Sequence, residues 1–165
     1  MFRVRKMTTR IKMKLVLKRF KPPKSWDYRI ISIQDIPALG ELMLTAYKGT
    51  IDYEGETVED AISEIQNTLQ GKYGLFLNEC SFLIEGDTIL SACLVVLSDH
   101  MKAPLLVYSM TCPTTQNQGM ATFLIKQCCN ALLAKGYHEL YLVVTQGNAA
   151  AQHVYQKIGF QPVRT

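Results

Sequence analysis

The feature that most constrains this chain is a polar stretch, residues 113–121, that contains Gly119. It separates an apolar, β-branched run (105–112) from an amphipathic helical run (122–135). A strand that empties through such a turn into a helix start leaves backbone N–H groups pointing outward, beside the positive end of the helix dipole. Phosphate groups bind at that kind of junction. Gly119 has no Cβ, so a ligand can approach the backbone closely. The turn lacks the Gly-Lys-Ser/Thr ending of a Walker loop and the G-x-G-x-x-G spacing of a dinucleotide-binding turn. It predicts a different phosphate-bearing small molecule.

Gln116, Gly119 and Ala121 form the pattern Gln-x-x-Gly-x-Ala. This resembles the Arg/Gln-x-x-Gly-x-Gly/Ala signature of the GNAT superfamily of acetyl-CoA-dependent N-acetyltransferases. A second set, Asn148, Ala151, Tyr155, Gly159 and Phe160, resembles that family's Asn-x-x-Ala-x-x-x-Tyr-x-x-x-Gly-Phe. Both patterns follow predicted strands and stand in the family's order. The resemblance spans residues 32–160 by element order and is specific over 105–160.

Periodicity supplies the elements. Ile11, Met13, Leu15 and Leu17 fall on one face at period two over 10–18, opposite a lysine-rich face, which predicts a half-buried strand. Residues 26–33 read as a second strand. Asp35 as cap, Pro37 in the first turn and a stripe of Ile36, Leu39, Met43 and Ala46 predict a helix. Thr57 as cap, with Val58, Ala61, Ile62, Ile65 and Leu69, predicts another that Gly71 ends. Runs 81–84 and 88–97 read as a hairpin. A strand (105–112), the long helix, a strand (139–145), a helix (148–157) and a short final strand follow. The predicted fold class is α/β (α+β), with a mixed, mostly antiparallel central sheet flanked by helices. The resemblance implies a GNAT-like acyl-CoA N-acyltransferase fold, in which strands 105–112 and 139–145 splay apart around coenzyme A. The expected organisation is a basic N-terminal extension, 1–26, and a single GNAT-like domain, 27–165.

Of the 165 residues, 48% are hydrophobic and 19% charged, ordinary for a soluble domain. No apolar run is long enough to cross a bilayer, and no secretory-signal layout opens the chain, so the expected location is cytoplasmic. Five irregularly spaced cysteines predict buried, reduced thiols, and the three histidines form no metal-ligand spacing with them. The first 26 residues carry ten Lys and Arg and no acid, while the whole chain is only +4. Such an arm invites a nucleic-acid or anionic-membrane reading. The period-two pattern over 10–18 argues instead for a strand whose lysines guard an edge, and no nucleic-acid motif accompanies it.

The resemblance also assigns residues. Gln116, Asn117, Gln118, Gly119, Met120, Ala121 and Thr122 would hold the coenzyme A pyrophosphate through backbone N–H groups. Gln116 stands where many members carry Arg, which removes one charge contact. Met110, Thr111 and Cys112 would bond the pantetheine arm like an added strand, and an N–H of Met110 or Cys112 would polarise the acetyl carbonyl. Asn148 would cap its helix and reach the pantetheine, with Ala151 beside it. Tyr155, two helical turns after Asn148, is the expected acid. A phenol of pKa about 10 can protonate a departing thiolate whose acid form lies at about 8.5.

Residues 108–111 lack the Glu that family members often place in that strand. Glu54 and Glu56, with Asp52, lie between the first two helices and are the expected acceptor-side acids and proton relay. The predicted activity is direct, sequential transfer of acetyl from acetyl-CoA to a primary amine of a small molecule or protein. One alternative is a non-catalytic acyl-CoA-binding module, which the missing strand carboxylate favours. The other is a nucleic-acid-associated protein using the basic segment. No metal or membrane partner is expected, and a homodimer is compatible with the pattern.

Overall fold

The computed structural model describes residues 9–164. In chain order the elements are β1 (Arg10–Val16), β2 (Arg29–Ile30), α1 (Ile36–Tyr47), α2 (Val58–Leu69), β3 (Gly74–Phe76), β4 (Phe82–Glu85), β5 (Ile89–Ser98) and β6 (Ala103–Thr111). They continue with α3 (Met120–Ala134), β7 (Glu139–Thr145), α4 (Ala149–Ile158) and β8 (Gln161–Pro162). The strands form one sheet in the order β2-β4-β5-β6-β7-β1-β8, with β3 also paired to β5. The β6–β7 pair is parallel and the others are antiparallel. The mixed, mostly antiparallel sheet flanked by helices is therefore the fold observed.

Side-chain alternation along β5 builds a core on each face of the sheet. Leu94 and Val96 pack with Leu39 and Met43 of α1 and Ala61 and Ile65 of α2. Cys93 and Val95 pack with Phe123, Leu124 and Cys128 of α3. Gly40 lets α1 and α2 touch: a Cβ there would lie 2.8 Å from the Ile62 Cα. Thr57 caps α2 as expected, exchanging bonds with Asp60 at 3.2 and 2.9 Å. Asp35 differs. It makes no side-chain bond to the start of α1. Its carboxylate accepts from the Ser32 N–H at 2.8 Å and from the Arg29 guanidinium at 2.9 Å. That knot opens a tight 3-10 turn at Ile33–Asp35, so the strand expected over 26–33 shrinks to β2.

The basic segment is an interior strand, not the edge strand expected. β1 pairs with β7 over its whole length, from Arg10 opposite Thr145 to Val16 opposite Glu139. On its other side, Met13 and Lys14 pair with β8. Met13 and Leu15 are buried in the α3 and α4 core. On the opposite face Lys14 meets Glu139 at 3.7 Å, and the Lys12 ammonium lies 5.2 Å from the centre of the Tyr141 ring. Arg3, Arg5 and Lys6 of the basic arm fall outside the described residues.

β6 and β7 pair only at Leu105–Tyr141 and Leu106–Leu142. Beyond those pairs they part, although β6 runs on to Thr111 and β7 to Thr145. A register shift of β6 against β5 accompanies the parting: Leu94 faces Tyr108 and Val95 faces Leu106, which leaves Val107 as an extra residue. A bulge of this kind bends and twists its strand.

Candidate active site

The opening between β6 and β7 holds a cavity of about 520 Å3, lined from both helical layers. α3 and α4 contribute Gly119, Met120 and Tyr155 from one face, and α1 with its following loop contributes Tyr47 and Asp52 from the other. The cavity therefore passes through the sheet.

At one end lies the turn singled out in the sequence. Gly119 is the residue before α3 and has φ +86°. Asn117, also left-handed at φ +64°, is of a residue type that tolerates that region. The first α3 bond runs from the Phe123 N–H to the Gly119 carbonyl at 3.0 Å. The amides of Met120, Ala121 and Thr122 are thus those that a helix start leaves without an intrahelical carbonyl. No acid occupies this first turn. Gln116, Asn117, Gly119, Met120, Ala121 and Thr122 line the cavity; Gln118 does not. The arrangement can hold an anion.

Along the β6 edge the structure refines the expected amide donors. The Cys112 N–H is engaged by the Leu90 carbonyl at 2.7 Å, so it faces β5. Backbone groups alternate between strand edges, which turns Met110 the same way and leaves the Ser109 and Thr111 amides facing the gap. Of Met110, Thr111 and Cys112, the first two line the cavity and Cys112 lies outside it. Ser109 was not legible as a site residue, because the bulge sets which amides face β7.

Asn148 and Tyr155 both line the cavity, as does Ala151. Asn148 caps α4 by accepting from the Ala151 N–H at 3.4 Å. The Tyr155 ring packs edge-on against Phe160, with centroids 6.0 Å apart. Burial pushes its phenol well above the ordinary tyrosine range, with the Cys93 thiol adding to this and the Ser109 hydroxyl acting the other way. Tyr155 thus keeps its proton at neutral pH.

At the other end Asp52 lines the cavity, while Glu54 and Glu56 stand outside it. Glu56 instead accepts from the Glu54 N–H at 3.0 Å. The Thr145 hydroxyl donates to Asp52 at 2.8 Å. Tyr47 lies beside them. Burial raises its phenol, Tyr155 and Asp52 raise it further, and Arg10 acts against them. Arg10, at the start of β1, also lines this end.

Beneath this wall sits a buried acid that no sequence pattern marks. Glu64 on α2 is 7% exposed. It accepts from the phenols of Tyr108 and Tyr73 and from the Lys72 ammonium at 2.9 Å. Burial pushes its carboxyl up, but these three donors outweigh that and hold it below the ordinary range. Through Tyr108, the residue before Ser109, Glu64 ties α2 to the cavity-lining part of β6. Among the described residues, no group of three or more His, Cys, Asp and Glu is placed to hold a metal ion. No helix there is long and apolar enough to cross a membrane.

A profile of the acetyltransferase (GNAT) family matches residues 50–160. The chain belongs to the GNAT family. The match runs from the loop that carries Asp52 to Phe160 and leaves β1 outside it. Solved structures share the GNAT fold at low sequence identity. A GCN5-related N-acetyltransferase from Sphaerobacter thermophilus has a TM-score of 0.70 at 17% identity, over 93% of this chain and 48% of that one. This chain thus spans about half of that protein. The PaiA N-acetyltransferase from Thermoplasma acidophilum, in complex with coenzyme A, has a TM-score of 0.68 at 21% identity, over 86% and 93%. The ribosomal-protein-S18-alanine N-acetyltransferase from Escherichia coli has 0.64 at 19%, over 84% and 79%. No curated protein sequence matches this GNAT chain.

Proposed function

We propose that this GNAT protein transfers an acetyl group from acetyl-CoA directly to a primary amine, with the two substrates entering the through-sheet cavity from opposite faces. The observation that carries the reading is the cavity itself. It joins an acid-free helix start on the α3 side to a carboxylate, Asp52, on the α1 side. The coenzyme A complex of the Thermoplasma acetyltransferase supports the choice of cofactor.

Acetyl-CoA supplies a thioester whose carbonyl an amine can attack. The turn from Gln116 to Thr122 holds its pyrophosphate through backbone amides and the α3 dipole. The β6 amides that face the gap, those of Ser109 and Thr111, receive the pantetheine arm and stabilise negative charge on the carbonyl oxygen. Tyr155 gives its phenolic proton to the departing sulfur. Asp52 receives the amine and, directly or through water, the proton it sheds. Glu54 and Glu56, outside the cavity lining, take no part in this transfer.

Calorimetric titration with acetyl-CoA and with free coenzyme A tests the cofactor half. Both are expected to bind the wild-type protein, and binding should be lost when Gly119 is replaced by a bulky residue. Absence of binding to the folded protein overturns the reading. Strong binding without acetyl transfer across a broad amine panel would favour the acyl-CoA-binding alternative, which the carboxylate-free 108–111 segment already suggests.

A further inference from the structure

We propose that the acceptor is a small amino acid-like molecule whose carboxylate lies close to its amine, with Asp52 receiving the ammonium and Arg10 the carboxylate. This rests on the transferase reading and names its substrate class.

The two charges are brought together by topology. β1 enters the sheet between β7 and β8, which sets Arg10 directly opposite Thr145. Directly opposed residues in an antiparallel pair have Cβ atoms about 5 Å apart. Thr145 in turn donates its hydroxyl proton to Asp52 at 2.8 Å. Arg10 and Asp52 therefore flank one residue at one end of one cavity, and both line it. Both also act on the phenol of Tyr47, in opposite senses.

A site for a polyamine or another multiply cationic acceptor would gather acids here, and the Arg10 guanidinium repels such a molecule. A guanidinium fork matches a carboxylate in two parallel hydrogen bonds, and its five donors can serve a substrate together with protein neighbours. Lys157, a second lining cation, stands on α4, in the helical layer opposite α1 and its following loop. Among the described lining residues, the acceptor end thus sets the Asp52 carboxylate and the Arg10 guanidinium on either side of Thr145, the charge pattern of an amino acid seen from its binding site.

The test uses the full chain, acetyl-CoA and paired acceptors: a set of free amino acids, the carboxamide of each, and a polyamine. Thiol release reports turnover. The acids are expected to show at least tenfold higher kcat/KM than their carboxamides. Arg10→Gln should bring that ratio to within about threefold, mainly by raising KM for the acids, and Arg10→Lys should fall between. Asp52→Asn should lower turnover of acids and carboxamides alike. Equal or better use of carboxamides or polyamines, a ratio that survives Arg10→Gln, or no acetylation of any amine would overturn this proposal. If acetyl-CoA still binds in calorimetry under those outcomes, only the acceptor assignment falls. If folded protein binds no acetyl-CoA, the transferase reading falls first and this one with it.

Discussion

Thr145 and Asp52 stand 93 positions apart, and the threonine hydroxyl donates to the aspartate carboxylate at 2.8 Å. This bond ties the end of β7 to the loop after α1, across the cavity. Thr145→Val removes the donor while keeping shape and burial. The KM for the acceptor should rise about five- to tenfold, the scale of one hydrogen bond to a charged group. Acetyl-CoA affinity, measured by calorimetry, should stay within about twofold. An unchanged acceptor KM would detach Asp52 from amine binding.

Tyr155→Phe should lower kcat by about a hundredfold or more, the usual scale of a lost general acid. The acetyl-CoA Kd should move by less than about threefold. Burial raises the wild-type phenol above its ordinary range, so kcat should show no alkaline fall from Tyr155 below about pH 10. Unchanged turnover in the variant would remove Tyr155 as the acid.

Gly119→Val tests the turn. At φ +86° a β-branched residue is strained by about 1–2 kcal/mol, and its Cβ would sit 3.5 Å from Trp26 Cη2. The variant should fold, with a thermal midpoint a few degrees lower, and its acetyl-CoA Kd should rise more than tenfold. Wild-type affinity in this variant would place the pyrophosphate elsewhere.

Glu64 links stability to acid. Its carboxyl titrates lower in the folded chain than in the unfolded one, where it lies at about 4.3. Its contribution is therefore complete above that value and is lost as pH falls through the folded-state value. Glu64→Gln should weaken the acid dependence of the thermal midpoint between about pH 5 and 3. Glu64→Ala, which strips the buried Tyr108 phenol of its acceptor, should cost on the order of 2–3 kcal/mol at neutral pH in urea unfolding. A wild-type acid limb in Glu64→Gln would refute the assignment.

β1 makes a separate prediction. Met13 is 1% exposed, and Met13→Ala should cost about 2–4 kcal/mol in denaturant unfolding. The nucleic-acid alternative needs a milder change than deletion, because deletion removes an interior strand. Replacing Lys12, Lys14 and Lys18 with Gln leaves Met13 and Leu15 in place. The charge-reduced chain should fold and turn over acetyl-CoA, and salt-dependent RNA binding that disappeared with these lysines would revive the alternative.

The elements that were legible are those whose signal is local. The α2 cap needs only Thr57 and Asp60, three residues apart. The α3 turn needs a strand end, Gly119 and a helix stripe in a row. Tyr155 shares a face with Asn148 because both lie within two turns of one helix. By contrast, Glu54 and Glu56 looked equivalent to Asp52 in the sequence. The loop conformation brings Asp52 to Thr145 and leaves the glutamates outside the cavity lining. Cys112 looked equivalent to Thr111 until its N–H was engaged by Leu90.

The sequence by itself determined the family, the sheet-and-helix class and the strand–turn–helix junction at Gly119, because each depends on residues a few positions apart and on short-range backbone geometry. Only the tertiary structure decided where the basic strand goes, which amides face the gap, and that Arg10, Asp52 and Thr145 meet at one end of the cavity. Strand order and side-chain partnership across tens of residues arise from packing of the two faces of the sheet, and periodicity along the chain carries no record of them.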